Sequence, residues 1–319
     1  MALREPDPQA DVLTRVQANI ERVIQGKGSV VRLLLLCLVA EGHLLLEDVP
    51  GVGKTSLAKA LAASLDCTFG RVQFTPDLLP SDVVGVNVWS RAEGRFEFRP
   101  GPIFAGVVLG DEINRASPKT QSALLEAMGE RQVTVDGVTY PMAPPFMVIA
   151  TQNPIEHEGT YPLPESQLDR FLMRLSVGYP SRESEIDVLE AHGDRDPLAD
   201  LEPVAGTADI AALAAAARSV HVAPALREYL VDLADASRHH PQLALGMSPR
   251  ASLGLQRVAR ARAAAAGREF VVPDDLKALA HPVLDHRLLL TPEAQIQGYR
   301  SADAVDDLLR TVPLPTGRG

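Results

Sequence analysis

Asp48-Val49-Pro50-Gly51-Val52-Gly53-Lys54-Thr55 has the residue types and the spacing of a phosphate-binding loop. An apolar run at 43–47 precedes it and predicts a short buried strand, and a helical pattern follows over 55–65. Strand, glycine-rich turn and helix in this order direct successive backbone N–H groups and a helix N-terminus at one phosphate. The segment therefore predicts a nucleotide-binding α/β domain.

Two side chains of this loop have specific expected roles. Lys54 is expected to reach the β- and γ-phosphates, and Thr55 to place its hydroxyl on Mg²⁺. The strict motif begins with glycine, where this chain has Asp48. An ordinary strand-to-helix turn is the alternative, but the flanking strand favours nucleotide binding. The cofactor-binding residues predicted here are Val49, Pro50, Gly51, Val52, Gly53, Lys54, Thr55 and Ser56.

Two adjacent acids end a second apolar strand, which begins at Val107. Asp111 is placed to hold Mg²⁺ through its water shell, and Glu112 to orient and polarise the attacking water. Taken alone, two acids after a strand equally suggest a cap for the next segment. Together with the phosphate loop they predict a metal ligand and a catalytic base.

Three further polar residues follow apolar segments. Asn153 lies shortly after the strand pattern at 146–150 and is placed to contact the γ-phosphate or the attacking water. Asn-Pro is, however, also a common turn signal. Arg170 stands between Asp169 and Phe171, and Arg250 opens a later helical window. Single arginines are usually solvated or paired, so composition alone selects neither.

Composition restricts the function classes. The 319 residues carry 31 Lys and Arg against 41 Asp and Glu, a formal net charge of −10, which disfavours nonspecific binding to nucleic acid or anionic lipid. The two cysteines, Cys37 and Cys67, lie in apolar helical patterns and are predicted to be core residues. The longest apolar stretch, 33–40, is too short to span a bilayer, and the N-terminus has no apolar leader segment. We expect no membrane insertion and a cytoplasmic location.

The order of patterns predicts two domains. Short apolar strands alternating with helices over 1–192 predict a parallel sheet with helices on both faces, interrupted by hairpin insertions at about 83–101 and 131–145. Residues 193–206 are rich in Asp, Pro and Gly and predict a linker. Alanine- and leucine-rich windows over 207–319 predict a small all-α lid domain.

Longer strings of the sequence resemble the MoxR family of AAA+ ATPases, over most of the chain from about residue 12. The strings that carry the resemblance are residues 42–55, 74–82, 111–116, 121–128, 150–156, 159–165 and 167–171. The resemblance implies an oligomeric ring, commonly a hexamer, with ATP and Mg²⁺ at each subunit boundary.

The resemblance also implies roles for individual residues. Arg170 matches the arginine finger, which is offered to the γ-phosphate of the neighbouring subunit. Arg250 matches the second sensor, carried by the lid onto the subunit's own nucleotide. The residues that serve the subunit's own nucleotide are Lys54, Thr55, Asp111, Glu112 and Asn153.

Other positions are matched more loosely. Ile24 and Gly26 fall where the family contacts adenine. His157 and Ser166 differ from the common pattern. We interpret His157 as an exposed loop histidine rather than a pH-sensitive contact. Arg115 is either a second interface arginine or half of a structural salt bridge.

The family resemblance suggests a chaperone-like remodelling or maturation factor for protein partners that bear a von Willebrand factor A domain. A chelatase-type motor subunit shares the same elements and is one alternative. The other is a nucleotide-gated binding module with little hydrolysis, which the presence of Glu112 and Arg170 disfavours. We expect no nucleic-acid partner, because the sequence has neither a basic stripe nor a nucleic-acid module.

Overall fold

A five-stranded parallel sheet forms the centre of the first part of the chain. The computed structural model describes residues 8–154, 159–183, 185–186 and 197–314. The strands are β1 (Leu44–Glu47), β2 (Phe69–Gln73), β3 (Gly85–Ser90), β4 (Arg95–Pro100), β5 (Val107–Asp111), β6 (Gln132–Val135), β7 (Val138–Pro141), β8 (Met147–Gln152), β9 (Met173–Leu175), β10 (Leu243–Leu245) and β11 (Leu289–Leu290). The helices are α1 (Pro8–Glu21), α2 (Gly28–Val39), α3 (Lys54–Ser64), α4 (Pro80–Val84), α5 (Pro118–Glu130), α6 (Glu165–Leu168), α7 (Thr207–Ser219), α8 (Pro224–Arg238), α9 (Pro249–Ala265), α10 (Pro273–Leu284), α11 (Pro292–Ile296) and α12 (Ser301–Thr311).

The strand order across the sheet is β2-β5-β8-β1-β9, and all neighbours are parallel. Helices cover both faces of the sheet, because successive leucine side chains of β1 point to opposite faces and all are buried. Leu44 and Leu46 belong to the core cluster that contains α1, α2 and α3, whereas Leu45 belongs to the cluster that contains α5. The parallel sheet with helices on both faces confirms the predicted fold class.

Strand β9 was not anticipated, because its three residues are too short to give a periodic pattern. It pairs with β1 from Leu44 opposite Met173 to Leu46 opposite Leu175. This pairing brings the chain that leaves β9 next to the phosphate-loop segment that leaves β1. The carboxyl ends of all five strands share one edge of the sheet.

Two antiparallel hairpins stand outside the sheet, β3–β4 and β6–β7. The turn of the second is formed by Asp136 at φ 49° and Gly137 at φ 81°, the left-handed pair that two-residue hairpins favour. The hairpins contact each other through Phe98 and Tyr140, whose stacked rings have centroids 4.0 Å apart.

Helices dominate the part of the chain after residue 206. Helix α9 packs against α7 and α10, and also against α2 of the first part. The sequence did not predict the short antiparallel ribbon β10–β11 or the last two helices. Residues 193–196 of the predicted linker and His157 lie outside the described residues, so the domain boundary stays a prediction.

The structure confirms the predicted core position of Cys37 and corrects that of Cys67. Cys37 is fully buried in α2, where burial raises its pKa to about 12, as expected of a core residue. Cys67 lies beyond the end of α3, in the turn that enters β2, and is only half-buried. None of the helices in the described ranges is long and apolar enough to cross a bilayer.

Candidate nucleotide-binding site

The loop between β1 and α3 has the backbone that phosphate binding needs. Gly51 and Gly53 have φ values of 84° and 88°, in the left-handed region that glycine adopts without strain. Helix α3 begins at Lys54 directly after this turn, so the N–H groups of its first turn face the loop. Lys54 Nζ donates a hydrogen bond to the carbonyl oxygen of Asp48 at 2.8 Å, which holds the ammonium group over the loop. Thr55 and Ser56 lie in the first turn of α3.

The Asp48 side chain, at the motif's first position, turns away from the loop. Its Oδ2 atom accepts hydrogen bonds from the backbone N–H groups of Val177 and Gly178 and from the Ser176 hydroxyl. The residue is 7% exposed. The acid therefore joins the phosphate loop to the segment that leaves β9.

A cavity of about 260 Å³ lies beside the loop. Its lining residues come from the α1–α2 connection, the loop, the start of α3, the segment after β9 and Leu198: Val23, Ile24, Gln25, Lys27, Gly51, Val52, Gly53, Ser56, Gly178, Pro180 and Leu198. Gly26 is not a lining residue, but its φ of 70° turns the chain between two that are. The Oε1 atom of Gln25 is buried and has no hydrogen-bond partner among the described residues. An apolar cavity with an unsatisfied polar atom, next to a phosphate loop, fits the base of a nucleotide.

Asp111 ends β5 and Glu112 follows it, as predicted, and one threonine contacts both residues. Thr151, on the neighbouring strand β8, donates to Asp111 Oδ1 at 2.7 Å and accepts from the backbone N–H of Glu112 at 2.9 Å. Glu112 has a left-handed backbone, φ 58°, which is unusual for a residue with a side chain and is typical of functional sites. Thr151 was not predicted as a site residue, because its partners lie on another strand.

Side chains of β2 also reach the acids. Arg71 Nη2 donates to Asp111 Oδ2 at 2.8 Å, and Gln73 Nε2 donates to Glu112 Oε2 at 2.9 Å. Arg115 Nη1 lies 3.1 Å from the same Glu112 oxygen, so of its two predicted roles the structure shows the salt bridge. Arg71 and Gln73 alternate at the end of β2, so both point to the same side of the sheet, but this pattern does not reveal that β5 is the neighbouring strand.

Asn153 completes the set at this edge. It follows β8 directly and is 5% exposed. The backbone N–H of Asp48 donates to the carbonyl oxygen of Gln152, which is the residue before Asn153. The carboxyl ends of β1, β5 and β8 therefore bring together the phosphate loop, both acids and this amide.

Arg170 and Arg250 lie elsewhere. They line one cavity of about 310 Å³ together with Gly42 and His43, which precede β1, and Leu172, which precedes β9. These are the amino ends of the strands, whereas the phosphate loop follows the carboxyl end of β1. The predicted contact of Arg250 with the subunit's own nucleotide stays a prediction, which this placement at the opposite ends of the strands does not favour.

The lid is fixed at this amino edge by the segment before β9. Ser248 Oγ donates to the Asp169 carboxylate at 3.1 Å, and Arg287 Nη2 donates to the carbonyl oxygen of Phe171 at 2.7 Å. Arg287 is buried, and burial lowers its pKa to about 10 while Asp169 opposes the shift. These contacts hold the start of α9, so that Arg250 lines the same cavity as Arg170.

The strand order, the loop and the acid pair define a phosphate-loop nucleotide-binding domain followed by a helical lid. Residues 43–173 match the model of the ATPase family associated with various cellular activities, and residues 235–308 match the model of the AAA lid domain.

Similar proteins agree with these matches. The chain is 49% identical to YeaC of Bacillus subtilis, over 96% of each chain. It is 42% identical to Chaperone MoxR1 of Mycobacterium tuberculosis, over 96% of this chain and 83% of that protein. A crystal structure from Cytophaga hutchinsonii superposes with a TM-score of 0.89 at 37% identity, over 97% of this chain and 96% of that one. The chain belongs to the MoxR family of AAA+ ATPases.

Proposed function

We propose that this chain binds Mg-ATP at the carboxyl edge of its sheet and hydrolyses it to ADP and phosphate. Lys54 binds the β- and γ-phosphates, and Thr55 and Asp111 hold the metal. Mg²⁺, when bound, neutralises negative charge on the phosphates. Glu112 accepts a proton from the attacking water, and Asn153 orients that water or the γ-phosphate.

The placement of the two arginines carries the proposal that the enzyme is a ring. Arg170 and Arg250 lie at the amino ends of the strands, across the sheet from the loop of their own chain. A copy that offers this face to the loop of the next copy makes a head-to-tail contact, and repeated contacts of this kind form a closed ring or an open spiral, depending on the rotation between copies. We propose a hexamer in which both arginines stabilise charge on the neighbour's γ-phosphate.

Complementation between two inactive variants tests the composite site. Lys54→Ala removes phosphate binding but keeps Arg170, and Arg170→Ala does the reverse. Each variant alone is expected to lose ATP hydrolysis. An equimolar mixture assembled at random has an intact loop facing an intact arginine at about a quarter of its interfaces, and is expected to recover about that share of wild-type activity.

The control mixture is Lys54→Ala with Glu112→Gln,Arg170→Ala, in which no interface is complete. Activity in this control would show contamination. A mixture of the two single variants that stays inactive, although size-exclusion chromatography shows assembly, would refute the trans arginine.

We further propose that hydrolysis drives a chaperone-like remodelling or maturation of protein partners, including partners with a von Willebrand factor A domain. The name of the relative Chaperone MoxR1 supports the chaperone part. The exposed Trp89 and Phe96 of hairpin β3–β4, whose rings meet edge to face, offer an apolar contact for such a partner. The cytoplasmic location expected from the sequence stays a prediction.

A chelatase-type motor subunit and a nucleotide-gated binding module are the alternatives. Wild-type protein that binds ATP but does not hydrolyse it at any protein concentration would favour the binding module. Hydrolysis that rises with protein concentration and is lost in Glu112→Gln would exclude it. The partner that stimulates hydrolysis separates a chaperone from a chelatase-type motor.

A further inference from the structure

We propose that Asp48 is a positioning residue that sets the affinity for the base of the nucleotide, by fixing one wall of the base cavity. This inference rests on the proposed nucleotide site. It assigns a role to the residue by which the loop departs from the strict motif.

The first observation is the concentration of hydrogen bonds on one buried oxygen. Asp48 Oδ2 accepts from Gly178 N at 2.9 Å, from Ser176 Oγ at 3.1 Å and from the N–H of Val177. All three donors belong to the chain that leaves β9, which lies beside β1. Hydrogen bonds to a carboxylate are roughly twice as strong as neutral ones, so this acid fixes the course of that segment.

The second observation is that this segment is a wall of the cavity. Gly178 and Pro180 line it, and Gly178 turns with φ 66°. Lys27, on the opposite side, also lines the cavity and donates from Nζ to the carbonyl oxygen of Tyr179 at 2.6 Å. The wall is thus held by Asp48 at its start and by Lys27 further on.

The third observation is that the Asp48 side chain has no part in the phosphate loop itself. The loop contact with Lys54 uses the main-chain oxygen of residue 48, which any residue retains. Nor does the backbone there need glycine, because Asp48 is not among the residues with positive φ. A change of this side chain is therefore expected to alter the wall and to leave the phosphate site in place.

The strict motif has glycine at this position, but we expect glycine here to weaken ATP binding. Asp48→Gly restores the strict loop but leaves two backbone N–H groups of the wall without their acceptor. If the wall then adopts the competent course in a tenth to a hundredth of the molecules, ATP binds about tenfold to a hundredfold more weakly. The isosteric Asp48→Asn keeps an oxygen acceptor without the charge, so its loss of affinity is expected to be smaller.

Isothermal titration calorimetry with two ligands tests the proposal. ATP reports on the base cavity and the phosphate loop together, whereas inorganic tripolyphosphate reports on the loop alone. We expect ATP affinity to fall in the order wild type, Asp48→Asn, Asp48→Gly, and tripolyphosphate affinity to stay within about twofold throughout. Asp275→Asn is the matched control, because Asp275 is also a buried carboxylate that accepts from a backbone N–H, but on α10 of the lid.

Each contrary outcome has a separate meaning. Equal ATP affinity in wild type and Asp48→Gly overturns the proposal. A parallel loss of tripolyphosphate affinity overturns it too, because Asp48 would then act on the loop. An equal loss of ATP affinity in Asp275→Asn would trace the effect to general destabilisation. Wild-type protein that binds tripolyphosphate but not ATP would refute the proposed nucleotide function itself.

Discussion

Acidification is expected to destabilise this protein through two buried histidines at the amino edge of the sheet. His43 precedes β1. Its Nδ1 atom accepts a hydrogen bond from the backbone N–H of Val148, and its Nε2 atom lies 3.1 Å from the carbonyl oxygen of Met128. Its pKa is lowered to about 3 by burial and further by Arg131 and Arg257. Because Nδ1 already accepts from the Val148 N–H, a second proton on the ring would face a donor instead of an acceptor.

His286 follows the same logic in the lid. Its Nε2 lies 3.0 Å from the carbonyl oxygen of Phe171, and its Nδ1 is buried without a partner among the described residues. Burial, and to a lesser extent the charge of Arg287, together lower its pKa to about 3. Both histidines are therefore neutral in the folded protein at any pH near neutrality.

The magnitude follows from proton uptake by the unfolded chain. Each histidine has a pKa of 6.5 when unfolded and about 3 when folded, so its contribution to stability is complete above pH 6.5 and is lost as the pH falls towards 3. Between pH 7.5 and pH 5.5 the unfolded imidazole changes from mostly neutral to mostly protonated. This lowers the free energy of unfolding by about 1.4 kcal/mol per histidine, or about 3 kcal/mol for the pair.

Urea unfolding at the two pH values, followed by circular dichroism, measures this loss. His43→Gln and His286→Gln are each expected to be less stable than wild type at pH 7.5, but to lose about 1.4 kcal/mol less on acidification. The exposed His239, changed to Gln, controls for the substitution itself. If both buried variants lose as much stability as wild type between the two pH values, then these histidines are not the cause.

Three further predictions concern the carboxyl edge. Gln25→Leu is expected to weaken ATP binding about threefold to tenfold and to leave tripolyphosphate binding unchanged, because it removes a hydrogen bond to the base; equal losses for both ligands in calorimetry would contradict this. Arg71→Gln is expected to tighten Mg²⁺ binding about twofold to fivefold, measured as the Mg²⁺ dependence of ATP binding, because it removes a half-exposed cation from Asp111; weaker Mg²⁺ binding would show that Arg71 supports the site. Thr151→Val is expected to lower the free energy of unfolding by about 1–3 kcal/mol in urea, because it leaves the Glu112 N–H without an acceptor, and Thr151→Ser is expected to restore most of it; a Thr151→Val protein as stable as wild type would contradict this.

The phosphate loop and the acid pair could be predicted because their signals are local. Each is a run of apolar residues followed within a few positions by the residues that carry the chemistry. Glycine at 51 and 53 marks the two places where the chain has a left-handed backbone. Helical periodicity and the Asp136-Gly137 turn gave the helices and the second hairpin for the same reason.

The roles of Thr151 and Arg71 could not be predicted, because they depend on which strands are neighbours. Thr151 reaches Asp111 since β8 lies beside β5, and Arg71 reaches it since β2 lies on the other side. Strand order is a property of the whole sheet and leaves no local pattern. The short strand β9 was missed as well, although it sets the wall of the base cavity.

Arg250 shows where a motif identifies a residue without locating it. The lid residues Ser248 and Arg287 donate hydrogen bonds to the segment before β9 and so fix the start of α9. The position of Arg250 therefore depends on how the lid docks. Because the lid docks at the amino ends of the strands, Arg250 and Arg170 line the same cavity. Two arginines that line one cavity, at the opposite ends of the strands from their own loop, are the basis of our proposal that each meets the γ-phosphate of a neighbouring copy.

The geometry of residue 48 explains why the backbone of this loop does not need a glycine at its first position. A glycine is needed where φ is positive or where a Cβ would collide, and the first condition holds at Gly51 and Gly53 but not at Asp48. Position 48 is therefore free to carry a side chain, and its place at the end of β1 points that side chain at the chain leaving β9. An acid at this position makes a fixed contact between the two parts of the proposed nucleotide site, the phosphate loop and the wall of the cavity beside it.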